Sequence, residues 1–186
     1  SPPGGHKTWL LLDLAVSIAS GTPFLGLYQV MEEGPVIIIQ QEDFHGQIVE
    51  RLSLIVHNRF GINQSEDEML MPPKLPIFVN PDRKLKFSDE KVMKALEEQI
   101  EKIRPKLVII DPLYSAADMD NYMADTASEM FALKAMRDKY GTAFVVAHHT
   151  KKGADGDRER AWGSQFLNAF LETGWQIKSG TVSNIK

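Results

Sequence analysis

The chain has 186 residues, with 21 Lys+Arg against 25 Asp+Glu, 43% hydrophobic residues and no cysteine, which fits one soluble domain spanning 1–186 that closes a real core. A net charge of −4 is not the footprint of a domain that coats nucleic acid, although it leaves room for a local basic patch, and the missing cysteines exclude disulfide scaffolds, cysteine zinc sites and thiol catalysis. No apolar run approaches the ~18–20 residues of a membrane span and no signal-peptide pattern opens the chain, so no membrane partner is expected and a reducing cytoplasm is the expected compartment.

Taken in chain order, apolar runs alternate with periodic segments. Thr8 to Ser20 is helical in composition and is stopped by Gly21, Thr22 and Pro23. Pro35 to Gln40 is short, β-branched and unbroken, as a strand covered on both faces should be. Phe44 to Phe60 carries Ile48, Leu52, Ile55 and Val56 at helical spacing and ends at Gly61. Residues 62–76 have no period and are expected to be a loop, followed by a short strand at Ile77 to Asn80. Ser88, Asp89 and Glu90 form a helix start, after which Val92, Leu96, Ile100 and Ile103 make one stripe. Arg104-Pro105 breaks that helix, and Lys106 to Ile110 is a second buried strand. A helix is expected over Thr126 to Tyr140, with Met130, Leu133, Met136 and Tyr140 on one side, and a third buried strand over Thr142 to Ala147. Lys151 to Arg160 reads as a polar loop, Gly163 to Leu171 as a helix, and Trp175–Lys178 with Thr181–Ile185 as a closing hairpin around Ser179-Gly180. Alternation of this kind predicts an α/β fold with a mainly parallel central sheet, helices on both faces and a C-terminal β-hairpin.

The first eight residues, S-P-P-G-G-H-K-T, nearly spell the phosphate-binding loop G-x-x-x-x-G-K-[ST]. Lys7 and Thr8 match, while Ser1 and His6 stand where glycines belong. Exposed backbone N–H groups leading into a helix make an anion site, and Gly4 and Gly5 let that backbone approach a phosphate. In this pattern Lys7 bridges phosphate oxygens of ATP and Thr8 ligates Mg²⁺. His6 demands a locally altered loop, with its ring outward and backbone angles open to a non-glycine residue. Because such loops follow a buried strand, a strand upstream of Ser1 is expected. The plain alternative is a Gly-rich turn capping an amphipathic helix.

Three later segments fall in the order a phosphate loop demands. Val36 to Asp43 is a buried strand ending in paired carboxylates, Leu107 to Asp111 a strand ending in an aspartate able to hold magnesium, and Phe144 to Thr150 a strand ending in two histidines. Polar residues thus gather at the carboxyl ends of strands, where open parallel sheets bind ligands.

On these residues, together with GGHKTWLLLDLAVSIASGTPFLG (4–26), RLSLI (51–55) and WGSQFLNAF (162–170), the chain resembles RecA-like P-loop ATPases, in the branch that holds the plasmid replicative helicase RepA and related hexameric helicase-type ATPases. The resemblance implies roles position by position. Lys7 and Thr8 match the Walker A lysine and hydroxyl, and Asp111 the Walker B aspartate. Glu42 matches the acidic residue that polarises the attacking water, and Asp43 its acidic neighbour. His148 and His149 match the pair that reports the γ-phosphate state. Catalysis would rest on Glu42 and Lys7, nucleotide binding on Gly4, Gly5, His6, Lys7, Thr8, Trp9 and His148, and the metal on Thr8 and Asp111. The implied cofactors are ATP and Mg²⁺, and the implied partners are single-stranded DNA and further copies of the chain in a ring or filament. Where the helicase carries an arginine finger, this chain has Glu172, with Arg158, Arg160 and Lys178 as substitutes that spacing does not separate.

Each residue keeps a plainer alternative. Glu42-Asp43 would also serve to cap the helix beginning near Phe44, His148-His149 to bind zinc, and Trp9, Trp162 and Trp175 to pack. For the whole chain the alternatives are a non-catalytic nucleotide-binding regulatory or loader-like module, which Ser1, His6 and Glu172 favour, and an α/β domain with no nucleotide role.

Overall fold

The structure, a computed structural model, describes residues 6–61, 74–80, 82, 85–112, 122–147, 172–178 and 181–184. Their elements run α1 (Lys7–Ser20), β1 (Val36–Gln40), α2 (His45–Phe60), β2 (Ile77–Asn80), α3 (Glu90–Ile103), β3 (Leu107–Asp111), α4 (Tyr122–Tyr140), β4 (Ala143–Val146), β5 (Trp175–Lys178) and β6 (Thr181–Asn184). Of the loop expected over 62–76, residues 74–76 carry no helix or strand and 62–73 lie outside the described residues, as do the polar loop 151–160 and the helix expected at 163–171.

β1 and β3 are buried at every position. They lie side by side in a parallel sheet of order β2-β1-β3-β4. Side-chain alternation divides their aliphatic residues between two cores. Ile37, Ile39, Val108 and Ile110 face Leu96 and Ile100 of α3 and Met130, Leu133 and Met136 of α4. Val36, Ile38, Leu107 and Ile109 face Leu11, Leu12, Ala15 and Ala19 of α1 and Ile48 of α2. Each fully buried Ile or Val contributes roughly 1.5–3 kcal/mol, so a strand with no polar face is stable only between two helical layers. This is the predicted α/β architecture, with helices on both faces. Among the described residues no helix is long and apolar enough to cross a membrane.

Several boundaries differ from the sequence expectation for local reasons. α3 is capped by Asp89 rather than Ser88, because the Asp89 carboxylate accepts from the Lys91 N–H at 2.8 Å. Met93, rather than Val92, joins Ile103 in packing against the α3–α4 core. α4 begins at Tyr122 instead of Thr126, since no Gly or Pro interrupts 122–126. β3 runs through Asp111 because Gln40 and Asp111 are register partners. β4 is shorter than expected and is not a buried strand like β1 and β3, since Ala143 is exposed and Phe144, Val145 and Val146 are only partly buried; the Thr142 hydroxyl donates to the Pro105 carbonyl at 2.7 Å.

α1 stops at Gly21, whose φ of 70° is left-handed and where a Cβ would come within 2.4 Å of Glu33 Oε2. The turn that follows is held by one guanidinium. Arg59, near the end of α2, donates to Ser17 Oγ at 2.5 Å and Thr22 Oγ1 at 2.8 Å and pairs with Asp13. Asp13 in turn accepts from the Leu25 N–H at 3.2 Å. β5 and β6 form the expected antiparallel hairpin, and Trp175 stacks on Phe24 with ring centroids 5.8 Å apart.

The strand order locates the crevice. From β1 the chain passes through α2 to β2 on one side, and from β3 through α4 to β4 on the other. The winding therefore reverses between β1 and β3, and the space beyond their carboxyl ends is where open α/β sheets take ligands.

Candidate functional site at the carboxyl ends of β1 and β3

Three distant stretches of chain meet at that reversal. The first turn of α1 brings Lys7 and Thr8, β1 ends in Gln40 with Glu42 just beyond, and β3 ends in Asp111. The Thr8 hydroxyl donates to Asp111 Oδ2 at 2.7 Å. The Gln40 carboxamide donates to the same oxygen at 3.2 Å through Nε2, and its Oε1 accepts from the Glu42 N–H at 3.0 Å. The sheet continues underneath, with the Gln41 N–H donating to the Asp111 carbonyl at 2.9 Å.

The electrostatics are those of charges held partly out of water. Burial pushes the Asp111 carboxyl above its usual range, against the pull of the Thr8 and Gln40 donors; the Glu42 carboxylate pushes the same way, and Lys7 opposes it. Burial also lowers the Lys7 ammonium, while the charges of Asp111 and then Glu42 pull it back up. Lys7, Asp111 and Glu42 thus share one electrostatic neighbourhood, formed by residues more than a hundred positions apart in sequence.

His6 is the N-cap of α1, with an exposed side chain and no side-chain capping bond. Its backbone differs from expectation. At φ 34° and ψ 10° it is left-handed, so histidine occupies the glycine conformation instead of moving the loop out of it. The physical reason lies one turn ahead, where the Leu10 N–H donates to the His6 carbonyl at 3.0 Å and fixes the residue at the helix start. Histidine is among the side chains that tolerate this region best.

Trp9 is not a core residue. It is 38% exposed and lies under the Arg51 guanidinium, 5.6 Å from the ring centroid. Arg51 also pairs with Asp43 at 2.5 Å, so it links the residue after Glu42 to the first turn of α1. The capping alternative for Asp43 is not met, since the N-cap of α2 is Phe44, whose N–H donates to Gln47 Oε1 at 3.3 Å. Glu172, at the arginine-finger position of the resemblance, pairs with Arg137 near the end of α4. Gly4, Gly5, His148 and His149 lie outside the described residues, as do Arg158 and Arg160.

Gln40 and Arg51 are the members that sequence reasoning did not single out. For Gln40 the available signal is a polar residue closing an otherwise aliphatic, doubly covered strand. For Arg51 there is none, because its reach to Trp9 and Asp43 depends on how α2 lies against α1.

The donor set fits a hydrated magnesium ion. A buried aspartate beside a threonine hydroxyl, which keeps a lone pair while its proton points to Asp111, is the kind of sparse oxygen set this ion takes along with phosphate and water. No curated protein matches the chain. A family model described as AAA domain matches residues 1–155. With a parallel α/β sheet, a lysine and a threonine opening the first helix and an aspartate closing the central strand beside them, the chain belongs to this family of nucleotide-binding ATPase domains.

Proposed function

We propose that the chain is a Mg²⁺-dependent ATPase that hydrolyses the β–γ bond of ATP. The observation that carries this reading is the 2.7 Å hydrogen bond between Thr8 and Asp111, 103 residues apart, with Lys7 and Glu42 electrostatically coupled to the same carboxylate. When bound, the metal would neutralise phosphate charge and polarise the bond to be broken. Thr8 and Asp111 would hold it. Lys7 would meet charge on the transferring phosphoryl group, and burial makes that charge more effective than it would be in water. Glu42, exposed at the mouth of the crevice, would orient the attacking water and accept its proton. Gly4, Gly5, His6, Trp9 and His148 complete the proposed nucleotide contacts.

The resemblance to the RepA branch supports a finer reading, in which hydrolysis moves a loop along single-stranded DNA within a ring or filament of copies. Its support is the sequence resemblance alone. The competing reading, a nucleotide-binding module that does not hydrolyse, is favoured by Glu172, an exposed acidic residue paired with Arg137 where the helicase has its finger.

The test is turnover of Mg-ATP, with and without single-stranded DNA, beside nucleotide binding followed with a fluorescent ADP. Glu42→Gln is expected to retain binding and to lose about 10²-fold or more in turnover, the usual scale for a positioned base. Binding by the parent chain without turnover establishes the competing module. Turnover that survives Glu42→Gln removes Glu42 from the mechanism.

A further inference from the structure

Two glutamines close β1 and continue it, and both are buried, yet they do different things. Gln41 pairs with the main chain of one residue: its Nε2 donates to the Leu85 carbonyl at 3.2 Å and its Oε1 accepts from the Leu85 N–H at 2.7 Å. That is a structural brace for the segment entering α3. Gln40, only 3% exposed, divides its carboxamide between the two candidate acidic residues. Its Oε1 holds the Glu42 N–H at 3.0 Å and its Nε2 holds Asp111 Oδ2 at 3.2 Å. As register partners on adjacent parallel strands, Gln40 and Asp111 project to the same side of the sheet, which keeps the carboxamide within reach of the carboxylate.

The geometry points to Gln40 as a positioning residue for the hydrolytic reaction, a single buried side chain that fixes the turn carrying Glu42 relative to the Asp111 carboxylate. The inference rests on the hydrolase reading above. Glu42 sits in a turn with an exposed side chain, so its orientation has to come from its main chain. A misplacement of about 1 Å between a base and the group it serves costs on the order of 10²-fold in rate. Releasing either end of the carboxamide also leaves a buried polar group unpaired, so the linked arrangement is favoured over one that satisfies only one partner. Thr8 donates to the same Asp111 oxygen, which places the brace one hydrogen bond from the proposed metal ligands.

The experiment compares Gln40→Met, Gln41→Met and Glu42→Gln in the full chain. Gln40→Met is expected to lower kcat about ten-fold or more while leaving ADP affinity, measured without Mg²⁺, within about two-fold. Gln41→Met is expected to lower the unfolding midpoint with kcat within about three-fold of the parent. In the Glu42→Gln background the Gln40→Met loss is expected to shrink, because a residue that acts through Glu42 cannot add to its removal. A readout that needs no ligand is amide exchange at Glu42, which is expected to accelerate about ten-fold in Gln40→Met. Should the methionine variant fail to fold, Gln40→Asn decides, since it stays polar but is too short to reach both partners. A kcat within about two-fold of the parent for the folded Gln40 variant, an equal loss in Gln41→Met, full additivity with Glu42→Gln or unchanged Glu42 exchange would each overturn the assignment. Failure of the hydrolase reading shows differently, as nucleotide binding by the parent chain without turnover.

Discussion

Two groups of charged residues in this domain are perturbed in opposite senses. On the outer surface of α3 and α4, Lys139 Nζ pairs with Glu97 at 2.9 Å, and the Tyr140 hydroxyl donates to the same carboxylate at 3.0 Å. There the Lys139 ammonium is held above its ordinary range by Tyr140 and Glu97, and the Glu97 carboxyl below its own by Lys139 and Tyr140. Each partner favours the charged form of the other. At the carboxyl ends of β1 and β3 burial works the other way, raising Asp111 and lowering Lys7. The first group is satisfied without any ligand. The second holds charge at a cost that a bound cation and phosphate would relieve, the pattern expected of a functional site. The direction of the shifts, with its cause in burial, supports the inner one as the proposed nucleotide site.

Neutralising Asp111 breaks that comparison most directly and has the largest expected effect. Because its folded-state pKa lies above the unfolded one, ionisation of Asp111 costs stability; its contribution is intact at low pH and is lost as pH rises through the raised value. Asp111→Asn is therefore expected to hold or raise the thermal midpoint of the nucleotide-free protein at neutral pH, by up to about 4 °C. Mg-ATP turnover is expected to fall about 10²-fold or more. Calorimetry beside an ATPase assay checks both halves, and a clearly lowered midpoint would place Asp111 with the structural pairs.

His6→Gly sharpens the comparison at the edge of the site. Holding histidine in the left-handed region costs on the order of 1 kcal/mol, so the glycine variant is expected to be more stable by roughly that amount and to bind nucleotide as well or better. A ten-fold loss of affinity, about 1.4 kcal/mol, would instead make the imidazole a ligand contact.

The smallest effect is expected on the outer surface. Lys139→Ala removes an exposed pair partner. It should leave turnover unchanged and the midpoint within about 2 °C, since surface pairs contribute little. Loss of activity in that variant would tie the α3–α4 surface to the chemistry and dissolve the distinction.

Much of the fold was legible in the amino-acid order because it depends on neighbours a few residues apart. The aliphatic runs at β1 and β3, the stop at Gly21, the Gly61 cap and the closing hairpin all follow from local period and turn chemistry, and the parallel placement of β1, β3 and β4 follows from their having no polar face. Lys7, Thr8 and Asp111 could be picked out because each ends or begins an element in a recognisable local context. Tertiary structure alone decided the rest. It set the reversal of winding between β1 and β3 and the reach of Arg51 across to Trp9. It also decided that Gln40 spans Glu42 and Asp111 while Gln41 turns to Leu85. The reach of Arg51 to Trp9, of Gln40 to Asp111 and of Gln41 to Leu85 joins groups distant in sequence, and those partners are set by which strands and helices lie side by side, a choice no local pattern carries.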